Sequence, residues 1–131
     1  MTTVDATTIR PGEFPQTVRL RSHTLTADVS VATGSHDAAP GPHDLFDAAL
    51  ATCKSMTAMW YAKRRGIPLE RVETHLESDD KDERSGVYRM RVHVELIGAL
   101  SDDQRAEILR ALASCPIHKL MTTSEVQIEM V

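Results

Sequence analysis

Apolar and polar residues change their rhythm several times along the chain, and each rhythm predicts an element. Near the start, Val18 and Leu20 alternate with Arg19 and Arg21, and Leu25, Ala27 and Val29 alternate with Thr24, Thr26 and Asp28. Period two is the mark of a half-buried strand, so residues 1–31 read as strands. Residues 32–43 (ATGSHDAAPGPH) break the pattern and read as a loop. The period then lengthens. Leu45, Ala49, Cys53, Met56 and Trp60 fall at helical spacing on one face. Asp44 and Asp47 place negative charge in the first turn of that helix, and Lys63, Arg64 and Arg65 place positive charge in the last. Gly66 supplies the stop.

Alternation returns over residues 71–77 and again from Tyr88 to Ile97, where Met90, Val92, Val94 and Leu96 share a face. The charged connection DDKDERSG between them reads as a solvated hairpin tip. Ser101 and Gln104 have the form of a capping box and open a second helix, with Ile108, Leu112 and Cys115 on one face. Pro116 interrupts it. A short turn, IHKLM, is expected next, and then a last strand carrying Val126, Ile128 and Met130. Strands, helix, strands, helix, strand is an α+β order, expected as one domain over residues 1–131.

Composition narrows the function. With 131 residues, 41% of them hydrophobic, the chain can bury a core, and with only five aromatics that core must be mostly aliphatic. A net charge of −4 without a basic block argues against nucleic acid. No apolar run approaches the roughly 20 residues a membrane span needs. The first residues, MTTVDATTIRPGEF, lack the charged lead and apolar stretch of a signal peptide, so a cytoplasmic location is expected. In a reducing compartment two cysteines are not expected to form a permanent bridge. They are a reactive pair, metal ligands, or unrelated core thiols.

Each cysteine has its own setting. Cys115 directly precedes a proline, a residue favoured at the first position of a helix, so Cys115 can act as N-cap of the turn that follows. A sulfur there lies near unpaired amides, which lowers a thiol pKa. Cys53 sits mid-helix in an apolar wall, where desolvation disfavours the thiolate. A nucleophilic Cys53 therefore needs a cation. Lys54 is adjacent but points about 100° around the helix. Arg19 and Arg21, on one face of an early strand, are the better suppliers, and Arg10 is a third. The matching chemistry is peroxide reduction: a thiolate opens the O–O bond, becomes a sulfenic acid, and condenses with a second thiol. An arginine can stabilise the thiolate and bind the peroxide oxygens. An apolar wall with Leu45, Phe46, Met56 and Met59 favours an alkyl hydroperoxide.

The run GPHDLFDAALATCKSMTAMWYAKRRGIPLERV resembles the central-helix signature of the OsmC/Ohr family, and CPIHKLM resembles its second-cysteine motif. The resemblance extends from about His23 to the C-terminus. It implies an OsmC-like fold, with antiparallel sheets wrapped around long central helices in an intertwined homodimer. It implies that Cys53 is the peroxidatic thiol and Cys115 the resolving one. It also implies reduction of organic hydroperoxides without metal or haem, with a thiol reductant that in parts of the family is a dihydrolipoyl group. The organic-peroxide branch carries a glutamate ten residues before the first cysteine, where this chain has His43 and then Asp44. Asp44 is the candidate substitute and Arg21 the candidate activating arginine.

Two other readings compete. Cys115 and His118 have C-x2-H spacing, and Cys53 and His43 could complete a four-ligand metal site. Alternatively the protein is a dimeric, non-catalytic binding module for a small apolar ligand, with both cysteines lining its pocket.

Overall fold

The computed structural model describes residues 1–131. The chain is α+β and forms two compact units, residues 1–46 and 47–131. In the first, β1 (Val4–Thr8), β2 (Gln16–Leu20) and β3 (His23–Ala27) make an antiparallel sheet in that order. Val18 stands opposite Ala6 on one side and Leu25 on the other. The expected alternation is therefore a real sheet face, although β3 ends at Ala27 and Val29 lies beyond it. The loop that follows is organised by Asp28, which is only 3% exposed. Its carboxylate accepts the amides of Val29 and Ala38 at 2.8 and 3.1 Å. A hydrogen bond from the Ser35 side chain comes first among the effects that lower the Asp28 pKa to about 2, with the amides of Ala38, Val29 and His36 adding to it.

Helix α1 (Pro42–Arg65) spans 24 residues. Pro42 opens it at a position where a missing N–H costs nothing. Gly66 ends it at φ 65°, the left-handed geometry that glycine adopts without a Cβ clash. The second unit continues with β4 (Leu69–Asp79) and β5 (Arg89–Gly98), an antiparallel pair. Cross-strand pairs Val72–Leu96, Thr74–Val94, Leu76–Val92 and Ser78–Met90 make the half-buried face, while His75–His93 and Glu77–Arg91 face outward. Gly98 permits a close approach, since a Cβ there would fall 2.4 Å from the Pro68 carbonyl oxygen. Ser101 caps α2 (Asp102–Leu112) in a complete capping box with Gln104, as the sequence predicts.

The core of this unit is a cluster of Ala58, Ala62, Ile67, Leu69, Leu96, Ile108 and Leu112. Tyr61 Oη donates to Glu107 Oε1 at 2.7 Å, fastening α1 to α2. Arg105 reaches the Leu96 and Gly98 carbonyls and fastens α2 to the end of β5.

Three expectations change. The buried row of α1 is Leu50, Lys54, Ala58 and Ala62, one residue along from the expected Leu45–Trp60 row. Met56 and Trp60 are 71% and 59% exposed. Small residues decide this: Ala58 and Ala62 let α1 approach its neighbours closely, and larger side chains would hold them apart. The expected turn after Pro116 is a third helix, α3 (Pro116–Thr122). The expected last strand does not form. Residues 124–131 have no ladder, and Val126, Ile128 and Met130 are exposed, because alternation makes a strand only when a neighbouring edge accepts its backbone hydrogen bonds.

Candidate active site

Helix α3 shapes the site. Cys115 is its N-cap, Pro116 follows at the first helical position, and Ile117 comes next. This is the expected cap, and the amide that follows it acts on the Cys53 sulfur. Burial pushes the Cys53 thiol up. The Ile117 backbone N–H, the Thr57 hydroxyl, the Cys115 thiol and the Lys54 charge pull it down, and the net effect is a lowered pKa. Thr57 Oγ1 lies 3.8 Å from Cys53 Sγ, one turn along α1. The Cys115 thiol thus acts on Cys53, and both thiols are free. They differ in access: Cys53 is half-buried, whereas Cys115 is 1% exposed.

Lys54 is the part that sequence reasoning missed. Its side chain is 6% exposed. Its ammonium donates to the Leu112 carbonyl oxygen at 2.5 Å and to His118 Nδ1 at 2.8 Å. An ammonium can only donate, so Nδ1 accepts and the ring proton sits on Nε2. A buried ammonium costs several kcal/mol unless such acceptors replace water, and the end of α2 and the ring on α3 supply them. A signal for this was available: Lys54 occurs at spacing four in a row that otherwise reads Leu50, Ala58, Ala62.

Beside Lys54 and His118 lies a cavity of about 690 Å³. Leu50, Met90, Val92, Leu109, Leu112 and Met121 give it apolar walls, and neither cysteine lines it. At its edge, Tyr88 Oη donates to Asp47 at 2.7 Å, and Ser78 Oγ donates to the same carboxylate.

The remaining candidates lie in the first unit. Arg21 is exposed and occupies the first position of the two-residue turn between Leu20 and His23. Its φ is 58°, a region where glycine or asparagine is the undemanding choice. Arg19 is exposed opposite Asp5 and Thr24. Arg10 is paired with Glu13 at 2.8 Å. Asp44 Oδ2 accepts the Gly41 amide at 2.8 Å and so caps the start of α1. The candidate metal set fares poorly: no group of three or more His, Cys, Asp or Glu gathers to hold an ion, and His118 Nδ1 faces an ammonium that would repel one.

Residues 34–131 match the family described as OsmC-like protein. The chain belongs to the OsmC-like family. Solved structures share its fold. The OsmC-like protein of Mycoplasma pneumoniae is 18% identical with a TM-score of 0.73, over 94% of this chain and 88% of that one. A Legionella pneumophila protein described as an organic hydroperoxide resistance protein OsmC is 20% identical, with a TM-score of 0.69 over 94% and 90% of the two chains. The organic hydroperoxide resistance protein OhrB of Bacillus subtilis is 22% identical, with a TM-score of 0.62 over 94% and 91%. No curated protein matches the chain. No helix is long and apolar enough to cross a membrane.

Proposed function

We propose that this OsmC-like protein is a cysteine-based reductase of organic hydroperoxides. The observation that carries the reading is the Cys53 thiol, lowered by a helix amide, a hydroxyl, a lysine and a second thiol within reach. The Cys53 thiolate attacks the terminal peroxide oxygen. The O–O bond breaks, two electrons leave sulfur, and the alkoxide takes a proton to become an alcohol. Cys53 is then a sulfenic acid. The Cys115 sulfur attacks it, the S–O bond breaks, and hydroxide leaves with the Cys115 proton as water. A dithiol reductant, of the dihydrolipoyl kind, returns the disulfide to two thiols.

Unequal burial supports these roles. Substrate can reach half-buried Cys53, while fully buried Cys115 can meet little except Cys53. Ala49 and the exposed Met56, one turn either side of Cys53, favour an alkyl peroxide. We assign the activating arginine to Arg21, with Asp44 as its carboxylate partner. An arginine held where glycine would be easier supports a functional demand at that position. Exposed Met56 and Trp60 support a homodimer through α1, since apolar side chains of that size on one helix face mark an interface. The site would work in the cytoplasm, where thiol reductants are available.

The test is to add tert-butyl or cumene hydroperoxide to reduced protein and follow peroxide and free thiols. Loss of both thiols with consumption of peroxide is expected. Cys53→Ser should abolish turnover, and Cys115→Ser should stop at a trappable sulfenic acid. Persisting thiols beside untouched peroxide refute the reading. A second reading is favoured by one observation, the apolar cavity that neither cysteine lines. It makes the protein a non-catalytic binding module for a small apolar ligand. Ligand binding unchanged in Cys53→Ser, with no peroxide consumed by the parent protein, would select it.

A further inference from the structure

We propose that Lys54, anchored by His118 and the Leu112 carbonyl, is a positioning residue that serves both cysteines at once. The inference rests on Cys53 and Cys115 acting as a redox pair. Lys54 follows Cys53 directly on α1, and its charge acts on the Cys53 sulfur. Its ammonium crosses to two points that bracket Cys115: the last residue of α2, and a ring three positions into α3. Those two points hold the segment 112–118. That segment carries the Cys115 sulfur and the Ile117 amide, both of which lower the Cys53 thiol pKa. One buried cation therefore does two things. It stabilises the attacking thiolate electrostatically, and it keeps the resolving thiol and the stabilising amide pressed against it.

A purely structural lysine would give a different pattern. A lysine that only held α1 to α3 would leave the charge at Cys53 unused, so replacing it by an apolar side chain of similar length would slow disulfide closure without slowing Cys53 alkylation. A lysine that only tuned Cys53 would not need two acceptors on either side of Cys115. His118 belongs to the same device. By accepting through Nδ1 it fixes its own tautomer and ring orientation, and so the first turn of α3.

The experiment uses full-length reduced protein. Cys53 alkylation by neutral iodoacetamide at pH 7 is followed site by site by mass spectrometry. Disulfide closure is driven separately by diamide, which takes up the two electrons and two protons and requires no peroxidase activity. Lys54→Met should slow Cys53 alkylation at least fivefold and closure at least tenfold, and Lys54→Arg should restore alkylation to within about twofold of the parent. His118→Leu keeps the charge and removes one anchor that holds both Cys115 and the Ile117 amide, so closure should slow at least fivefold, and alkylation should slow less than in Lys54→Met, where the cation is lost as well. Alkylation unchanged in Lys54→Met overturns the electrostatic half of the proposal. Closure unchanged in His118→Leu overturns the anchoring half, and this variant decides the matter even if Lys54→Met does not fold. Absence of peroxide turnover in the parent would defeat the proposed function and leave these readouts intact.

Discussion

Replacing Thr57 by valine tests the hydrogen bonding around Cys53 with almost no change of shape. The two side chains are isosteric and β-branched, and their helix propensities are close. What is lost is one O–H donor, 3.8 Å from Cys53 Sγ. A hydrogen bond to a charged group contributes about 1.5–3 kcal/mol net. The long contact to sulfur and the half-exposed setting of Cys53 reduce that to about 1–1.5 kcal/mol. Below the thiol pKa, that energy appears as a loss of thiolate of about five- to tenfold at fixed pH. Cys53 in Thr57→Val should therefore react with iodoacetamide about five- to tenfold more slowly at any pH where the parent thiol is still mostly protonated. The difference should vanish at alkaline pH, where the thiol is ionised in both proteins. Thr52→Val is the control. Its hydroxyl donates back to the Ala48 carbonyl at 2.7 Å on an exposed part of the same helix, so Cys53 reactivity should not move. Equal rates for Thr57→Val and the parent along the acidic limb of the pH–rate profile, or equal slowing in the Thr52 control, would refute the reasoning.

Three further outcomes follow from other parts of the molecule. Ile108→Ala removes three carbons from a fully buried side chain, so transfer and cavity together should cost about 3–4 kcal/mol in urea unfolding, whereas Leu109→Ala, at a side chain 46% exposed, should cost under about 1 kcal/mol. The Asp28 carboxyl, held at about 2 against an ordinary 3.8, binds its proton less readily in the folded state, so its stabilisation is complete above the unfolded value and is lost as pH falls through about 2. Melting temperatures of the parent and Asp28→Asn should therefore converge as pH falls from about 5 to 2, and a gap that stays constant would show that the carboxylate is not the cause. Arg21→Asn relieves a left-handed backbone position, so it should leave stability unchanged or raise it by up to about 1 kcal/mol while lowering hydroperoxide turnover at least tenfold; a loss of stability with full turnover would defeat the assignment of Arg21.

What the sequence made legible follows from how local each signal is. The capping box at Ser101, the stop at Gly66 and the alternation of β5 each depend on a few neighbouring residues, and each appears in the structure. The exposed alternation of Val126, Ile128 and Met130 has the same local form, but a strand depends on a second edge, and the sequence does not say where one lies. The face of α1 was misplaced for a related reason. Counting apolar residues selects the row with the largest side chains, Met56 and Trp60, whereas close packing selects the row with the smallest, Ala58 and Ala62. A rotation of one residue then places Lys54, which lies about 100° around the helix from Cys53, in the buried row.

That rotation changes the chemistry of the site more than the fold. The sequence places Cys53 in an apolar wall, where a thiolate needs a cation. Within its own unit the structure adds other groups that favour the thiolate: a hydroxyl one turn along, a lysine next in sequence, and an amide and a thiol from the start of α3. Only the lysine and the second cysteine are visible as chemistry in a list of residues. The amide of Ile117 is invisible there, because every residue but proline has one. It acquires a role only because Pro116 starts a helix at that point and Lys54 draws the segment inward. The reactivity of Cys53 thus depends in part on backbone placement. Substitutions that move α3 by a fraction of an ångström, without touching a charged or nucleophilic side chain, should alter it as much as the loss of Thr57.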